Sequence, residues 1–323
     1  MSKIRVGIVG YGNLGKASEE HVLNSSDMEL VCIVSRRNNI DTKSKVPVIH
    51  PEDIVDYKDK IDVMILCGGS ATDLPEQTPY FTKYFNTVDS YDNHSNVLNH
   101  FNTVDEVAKE RGTVSIISVG WDPGIFSLNR LLGESILPKG KSYTFYGPGV
   151  SQGHSDAVRR VEGVVDARQY TVPVEEAVNR VRNGETPTFT KRDMHKRNCY
   201  VVAEDGSDKD KITKEIKKMP GYFADYDTQV EFVSMDELQK NHAKLPHGGF
   251  VIRSGKTGDN QHIVEFSIKL DSNPAFTSAI LVAYARGAYK LAKQGCSGCH
   301  TILDVPLGLI STMSREEMLN QIV

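Results

Sequence analysis

Apolar and polar positions alternate in blocks along the first third of the chain. Ile4-Arg5-Val6-Gly7-Ile8-Val9 is β-branched and almost wholly apolar, and glycines follow it. A short apolar run of this kind predicts a strand covered on both faces, as in a parallel sheet. Apolar residues then recur at helical spacing from Leu14 to about Leu23, and Met28 to Ser35 predicts a second buried strand. The same rhythm predicts a strand over 62–67, a helix over 77–85, a short strand over 87–89, a helix over 96–111 and a strand over 113–119. Strands that alternate with helices imply βαβ units, and so an α/β domain built on a parallel sheet.

The rhythm changes after Gly120. Strand-like runs over 142–147, 229–233 and 262–270 mix with helical spacing over 174–183 and 209–219. A long apolar helix over 277–294 follows. This mixture predicts a second, α+β region. The expected division is a first domain over 1–120, to which a segment from about 298 to 323 returns, and a second region over 121–297. No repeat or low-complexity segment interrupts either part.

With 323 residues, the chain is long enough for two domains with sizeable cores. A net charge of −4 with no lopsided distribution points away from nucleic acid as a partner. The most apolar late run, Ala279 to Ala285, is cut by Arg286, so a buried helix is expected there and no membrane span. The apolar run behind Lys3 and Arg5 is too short for a secretory signal, which makes the cytoplasm the expected location. Five cysteines in so long a chain do not form a disulfide framework. Cys296-Ser297-Gly298-Cys299-His300 has the spacing of a haem attachment site, but export and further ligands are missing; a helix-to-strand turn with two thiols is expected, and no metal.

Gly10-Tyr11-Gly12-Asn13-Leu14-Gly15 reads G-x-G-x-x-G between the first strand and the first helix. The first glycine suits a tight turn, the second lets backbone approach a pyrophosphate, and the third allows helix and strand to touch. The helix N-terminus then offers free N–H groups to phosphates. This context makes the first domain a Rossmann dinucleotide-binding domain. The second strand ends in Ser35-Arg36-Arg37 where an NAD enzyme places an acidic residue. Guanidinium groups suit a 2′-phosphate, so the expected cofactor is NADP. Cys67-Gly68-Gly69-Ser70-Ala71-Thr72, at the end of a third strand, is expected to line the same cofactor.

Two acidic clusters follow strands of that domain: Asp89-Ser90-Tyr91-Asp92-Asn93-His94 and Gly120-Trp121-Asp122-Pro123-Gly124. Asp92 and Asp122, both beyond strand C-termini, suit a substrate that bears an ammonium group beside a hydride acceptor. Gly147-Pro148-Gly149-Val150-Ser151-Gln152-Gly153-His154-Ser155-Asp156 is expected to be a binding loop. Thr171, Arg197, His247 and Asn273 are polar residues that composition alone assigns to structure rather than to a site.

The stretches VGIVGYGNLG, SRRN, GSATD, DSYDNH, GWDPG, GPGVSQGHSDA, HKR, LPHGG and LDSNP, spread over essentially the whole chain, closely resemble the meso-diaminopimelate dehydrogenase family. The resemblance implies an NADP-dependent, reversible oxidative deamination of the D-centre of meso-2,6-diaminopimelate, and a homodimer assembled through the second region, which becomes the substrate-binding and dimerisation region. It implies that Asp92 and Asp122 lie near the reacting amino group, with Trp121, Tyr146, Gln152 and Gly153 around that end. Arg197, Thr171 and His247 would hold the distal carboxylate, and Asn273 the distal amino group. Tyr146 departs from the Trp that many relatives carry, which leaves the breadth toward other D-amino acids open. Two alternatives stand beside this one: another NADP-linked reductase of the aspartate and lysine pathway, and a non-catalytic NADP sensor.

Overall fold

The computed structural model describes residues 3–37 and 39–323. The chain forms two compact units, Met1–Leu128 with Pro274–Val323, and Asn129–Asn273. The first holds the strands β1 Ile4–Val9, β2 Met28–Val34, β3 Val48–Ile49, β4 Val63–Leu66, β5 Asn86–Asp89 and β6 Val114–Ile117. Its helices are α1 Asn13–Leu23, α2 Leu74–Thr82 and α3 Val97–Arg111; a fourth, α4 Ile125–Ile136, runs into the second unit.

That second unit contains β7 Gly140–Tyr146, β8 Gly149–Val150, β9 Val164–Pro173, β10 His195–Ala203, β11 Asp227–Phe232, β12 His247–Thr257 and β13 Asn260–Leu270. Its helices are α5 Gln152–Arg159, α6 Glu175–Arg182, α7 Lys191–Met194, α8 Lys209–Lys218 and α9 Met235–His242. The chain then returns to the first unit through α10 Asn273–Lys293, β14 Gly298–Thr301, α11 Leu307–Ile310 and α12 Arg315–Gln321.

In the first unit the strands form one sheet in the order β14-β6-β5-β4-β1-β2-β3, every pair parallel. β1, β4 and β6 are buried along nearly their whole lengths, which explains their continuous apolar character. Ile54, Phe81, Phe85 and Tyr91 fill one core cluster against Val9, Val34, Met64 and Leu66. The order places the turns after β1, β4, β5 and β6 along one edge, where open α/β sheets bind ligands.

The second unit has two sheets, β11-β10-β9-β8 and β13-β12-β7. Arg197 on β10 faces Thr171 on β9 across an antiparallel ladder, and Thr171 in turn faces Gly149 on β8. Tyr146 at the end of β7 faces Gly249 on β12. Among the described residues no helix is long and apolar enough to cross a membrane.

Several elements differ from the sequence pattern. The helix expected over 77–85 runs Leu74–Thr82, because Pro75 in its first turn has a φ already suited to a helix start. The stretch expected as a loop over 147–156 is β8 followed by α5, with the Ser151 hydroxyl capping the helix at the His154 N–H. Cys299 lies in β14, which pairs with β6 as a seventh strand of the parallel sheet, and Cys296 precedes it. The chain leaves the first unit at 128 and returns at 274, not at 120 and 298. The long helix α10 accounts for the earlier return point. Its Gly287 faces Ile310 and Val305 so closely that a Cβ would lie 3.2 Å from each.

Arg286 fastens the same helix. Its Nε and Nη2 donate to the Asp27 carboxylate at 2.5 and 2.9 Å, and its Nη1 donates to the Ile310 carbonyl at 2.9 Å. The guanidinium is buried, so Asp27 cannot be removed without leaving a desolvated cation. The hydrogen bonds from Arg286 hold the Asp27 carboxyl below the usual carboxylate range. A depressed carboxylate stabilises the fold above its unfolded pKa, and that contribution disappears as pH falls through the folded value. Asp27→Asn is therefore expected to lower stability by about 1.5–3 kcal/mol at neutral pH, the range for hydrogen bonds to charged groups. In urea melts the gap between the two proteins should close below about pH 4, the ordinary range of an aspartate; a gap independent of pH would show that the ion pair is not its source.

Candidate active site

The glycine motif folds as its spacing requires. Gly10 has φ +86°, and Gly15 packs so tightly on the turn that a Cβ there would stand 2.1 Å from the Gly10 carbonyl oxygen. A Cβ on Gly12 would meet nothing within 4 Å, so the backbone before α1 is open to a ligand. Among the described residues α1 has no acidic side chain in its first turn and no side-chain cap at Gly12, so nothing there competes with a phosphate. Asn13 is exposed and Leu14 half-buried at the start of the helix.

Tyr11 points inward. Its hydroxyl donates to the buried Glu19 carboxylate, which also accepts the Ser44 N–H at 2.7 Å and the Ser44 hydroxyl at 2.5 Å. Burial and the Glu19 carboxylate push the Tyr11 hydroxyl up to about 12. What Tyr11 can offer a cofactor is therefore its peptide and not its ring.

The end of β2 reaches the same place. Arg37 Nη2 donates to the Tyr11 carbonyl at 2.7 Å, and the Arg37 N–H donates to Ser35 Oγ at 3.0 Å. Arg36 pairs with Asp73 at 3.1 Å, and Asp73 Oδ2 accepts the Gly69 N–H at 3.0 Å and the Thr72 hydroxyl at 3.3 Å. One carboxylate thus joins the arginine turn to the Gly68-Gly69-Ser70-Ala71-Thr72 turn. The Cys67 carbonyl lies against Gly10, while burial pushes the Cys67 thiol up to about 12, so the residue lines the turn without being a reactive thiol.

Ser70 continues the edge toward the acidic loops. Its Oγ accepts the Asp92 N–H at 3.0 Å, and the Asp92 side chain is exposed. Asp122 is half-buried in a turn closed by the Trp121–Gly124 bridge, with Trp121 packed edge-on to Phe126 at 5.3 Å. Pro123 follows Asp122 through a cis peptide bond. All cofactor-side candidates and both acidic candidates of the first unit therefore line one edge of the parallel sheet.

The candidates of the second unit fall in two groups. Thr171, Arg197, Tyr146 and His247 are carried by paired strands. Arg197 is 7% exposed; its guanidinium donates from Nη1 to the Thr171 hydroxyl and lies over the Tyr226 ring at 4.0 Å. Its Nε has no hydrogen-bond partner, and among the described residues no carboxylate lies within ion-pair distance of it. Burial pulls its pKa down from the ordinary arginine value. A desolvated cation without a counter-charge is costly, so the geometry calls for an anionic ligand.

Three histidines surround this charge. Burial, with the Arg197 charge as a second cause, lowers His154 and His195 to about 4 and also lowers His247. Two of them accept backbone bonds: the Tyr146 N–H donates to His195 Nε2 at 2.8 Å, and the Gly248 N–H to His247 Nδ1 at 2.8 Å. Tyr146 stacks on His195 at 5.7 Å. Gly149 lies so close to His247 that a Cβ would be 2.6 Å from its Cα, and no larger residue fits there.

Gln152 and Gly153 form the second group. They are exposed on the first turn of α5, and a Cβ on Gly153 would meet nothing within 4 Å. Asn273 opens α10 and its N–H donates to the Leu245 carbonyl at 3.1 Å.

Sequence reasoning passed over His195, Tyr226, Glu19 and Asp73. Asp73 had a usable signal, four residues after the second of two glycines in a strand-end turn. His195 and Tyr226 had none, because their contacts with Tyr146 and Arg197 arise only from strand pairing and packing.

Residues 120–272 match the family described as the diaminopimelic acid dehydrogenase C-terminal domain. A meso-diaminopimelate D-dehydrogenase from Ureibacillus thermosphaericus is 57% identical over 100% of both chains. A diaminopimelate dehydrogenase from Corynebacterium glutamicum, solved in complex with DAP, is 44% identical over 100% of both chains with a TM-score of 0.93. An engineered D-amino acid dehydrogenase solved with NADP+ is 42% identical over 100% of both chains with a TM-score of 0.88. Identity at this level along the full length, on a fold that places an open glycine turn, two arginines and paired acidic loops on one sheet edge, means that the chain belongs to the meso-diaminopimelate D-dehydrogenase family.

Proposed function

We propose that the chain carries out the reversible NADP-dependent oxidative deamination of the D-centre of meso-2,6-diaminopimelate, giving L-2-amino-6-oxopimelate, ammonia and NADPH, in the metabolism that supplies lysine and cell-wall precursors. Besides membership of the family, the observation that carries this proposal is Arg197, a buried guanidinium with an unpaired Nε and no carboxylate beside it among the described residues. A substrate carboxylate meets that need, and a diacid has one to spare beyond the reacting end.

NADP+ fits the first unit. Gly10, Gly12 and Gly15 leave the backbone of Tyr11, Asn13 and Leu14 open to a pyrophosphate, and Ser35, Arg36 and Arg37 suit the 2′-phosphate. Cys67 to Thr72 line the adjoining turn. When bound, NADP+ is the hydride acceptor. Water adds to the imine that hydride departure leaves and expels ammonia, and the remaining work falls to side chains of this chain.

Hydride can leave the D-centre only when nitrogen supplies its lone pair, so the ammonium must first lose a proton. Asp92 and Asp122 take that proton, directly or through one water. Trp121, Tyr146, Gln152 and Gly153 surround the reacting end. At the other end Arg197, helped by Thr171 and His247, holds the distal carboxylate, and Asn273 holds the distal amino group. The two ends of the substrate carry the same groups on centres of opposite configuration, and Arg197, by holding the distal end, fixes which centre is presented.

A homodimer assembled through the second unit completes the proposal. Its support is α4, where Leu131, Leu132 and Ile136 stand exposed along one short helix. The reaction is placed in the cytoplasm, where the five free thiols stay reduced.

Light scattering at micromolar concentration is expected to give about twice the 35.8 kDa chain mass; a monomer mass would exclude the dimer. Arg36→Ala should raise the KM for NADP+ about tenfold, as loss of a charge-assisted bond predicts, and leave the KM for NAD+ nearly unchanged. Equal kinetics of the unmodified protein with both cofactors would contradict the assignment. Arg197→Met should lower kcat/KM for meso-diaminopimelate at least tenfold, since about 1.4 kcal/mol is one decade and a charged hydrogen bond contributes roughly 1.5–3 kcal/mol. The same variant should shift the ratio of kcat/KM values toward D-leucine, because an apolar side chain gains where the buried cation is gone; an unmoved ratio would remove Arg197 from the distal end.

A further inference from the structure

The carboxylate of Asp89, fully buried at the C-terminal end of β5, is not among the groups placed against substrate or cofactor. Both of its oxygens are nevertheless fully used. Oδ1 accepts the Tyr91 N–H at 3.0 Å and the Ser118 N–H at 2.9 Å. Oδ2 accepts the Thr78 hydroxyl at 2.8 Å and, since a carboxylate only accepts, a hydrogen from His100 Nε2 at 2.9 Å. The Asp89 carbonyl accepts the Val119 N–H at 2.8 Å.

These contacts have one common effect. Pairing between β5 and β6 runs through Thr87–Ser115 and Val88–Ile116, and just beyond it Asp89 continues the link with its side chain and its main chain. The two segments so joined are the ones that lead to Asp92 and to Asp122. On the first, Tyr91 is held at its N–H by Asp89, its ring stacks on His100 at 4.0 Å, and its hydroxyl accepts from Asn96 Nδ2 at 3.1 Å. Asp92 follows directly.

On the second segment, Ser118 has φ +57°, a conformation that a residue with a Cβ rarely adopts and that here is held by the hydrogen bond of its N–H to Asp89. The turn after it closes on itself, for a Cβ on Gly124 would stand 1.7 Å from the Gly120 carbonyl oxygen. The entry of the turn that carries Asp122 is thus bonded to Asp89 at Ser118 and Val119, and its exit runs into α4, where the Ile125 and Phe126 N–H groups donate to the Gly120 and Trp121 carbonyls at 3.0 and 2.8 Å.

We propose that Asp89, supported by His100 and Thr78, is a positioning residue that sets the spacing between the Asp92 and Asp122 loops and thereby the transfer of the amine proton. The proposal rests on Asp92 and Asp122 being the groups that face the reacting amine. Its test compares Asp89→Leu, which has similar size and no acceptor, with Asp89→Asn, which keeps an oxygen for the Tyr91 and Ser118 N–H groups. In Asp89→Leu, kcat for meso-diaminopimelate should fall at least tenfold while the Kd for NADP+, read by fluorescence titration, stays within twofold; Asp89→Asn should recover most of the loss. Thr78→Val, which removes one support from Oδ2 and nothing else, should lower kcat about threefold with the same unchanged NADP+ affinity, and it decides the matter where Asp89→Leu does not fold. Retention of kcat within twofold in Thr78→Val and in any folded Asp89→Leu overturns the proposal. Asp92→Asn and Asp122→Asn are assayed beside them: if both keep full kcat, the assignment of the proton acceptors has failed, whereas their inactivity with an unaffected Asp89 series refutes the positioning role alone.

Discussion

A charge can be held away from water only where other groups replace the water, and the chain meets this constraint in two opposite ways. Glu19, Asp89 and Arg286 are buried and satisfied: Glu19 by Tyr11 and Ser44, Asp89 by four donors, Arg286 by Asp27 and a carbonyl. Each joins segments that the sequence separates, and Glu19 and Asp89 do so beside the sheet edge that carries the glycine turn and the acidic loops. Arg197 is buried and left short, with a hydroxyl, an aromatic face and three neutral histidines in place of a carboxylate. The first arrangement holds the fold in shape. The second leaves a position that only a ligand completes.

The two units differed sharply in how much of this could be read from the sequence. In the first, apolar strands buried on both faces produce unbroken runs such as Ile4 to Val9, and glycines mark where the runs end. In the second, β9 and β10 turn Gln169, Thr171, His195 and Arg197 inward among Ala167, Cys199 and Val201. Polar residues on the covered face break the alternation that identifies a strand. The residues that make the site interesting are thus the ones that hid the elements carrying them. Arg197 was singled out only through resemblance to a family, because what sets it apart is that no carboxylate stands beside it among the described residues, and no local pattern encodes an absence.

The loop over 147–156 shows the same limit in another form. Its glycines and polar residues suggested irregular backbone, yet Gly149 is glycine because a strand lies against His247, and Ser151 is polar because it caps α5. Close backbone approach and helix capping use the same residue types as a ligand loop. Only the pairing of Gly149 with Thr171 and its close approach to His247, neither of which is local in sequence, separate the two explanations.

The neutrality of the three histidines has a consequence for selectivity. Were they charged, the neighbourhood of Arg197 would attract any anion, including small ones that cannot react. Burial keeps His154, His195 and His247 uncharged at neutral pH, so the attraction comes from one guanidinium with a fixed fork of donors. Nη1 is committed to Thr171 and one face to Tyr226, which limits how a carboxylate can approach. A ligand whose carboxylate must arrive in one orientation also has its chain direction set. For a molecule whose two ends carry the same groups on centres of opposite configuration, that direction decides which centre is presented.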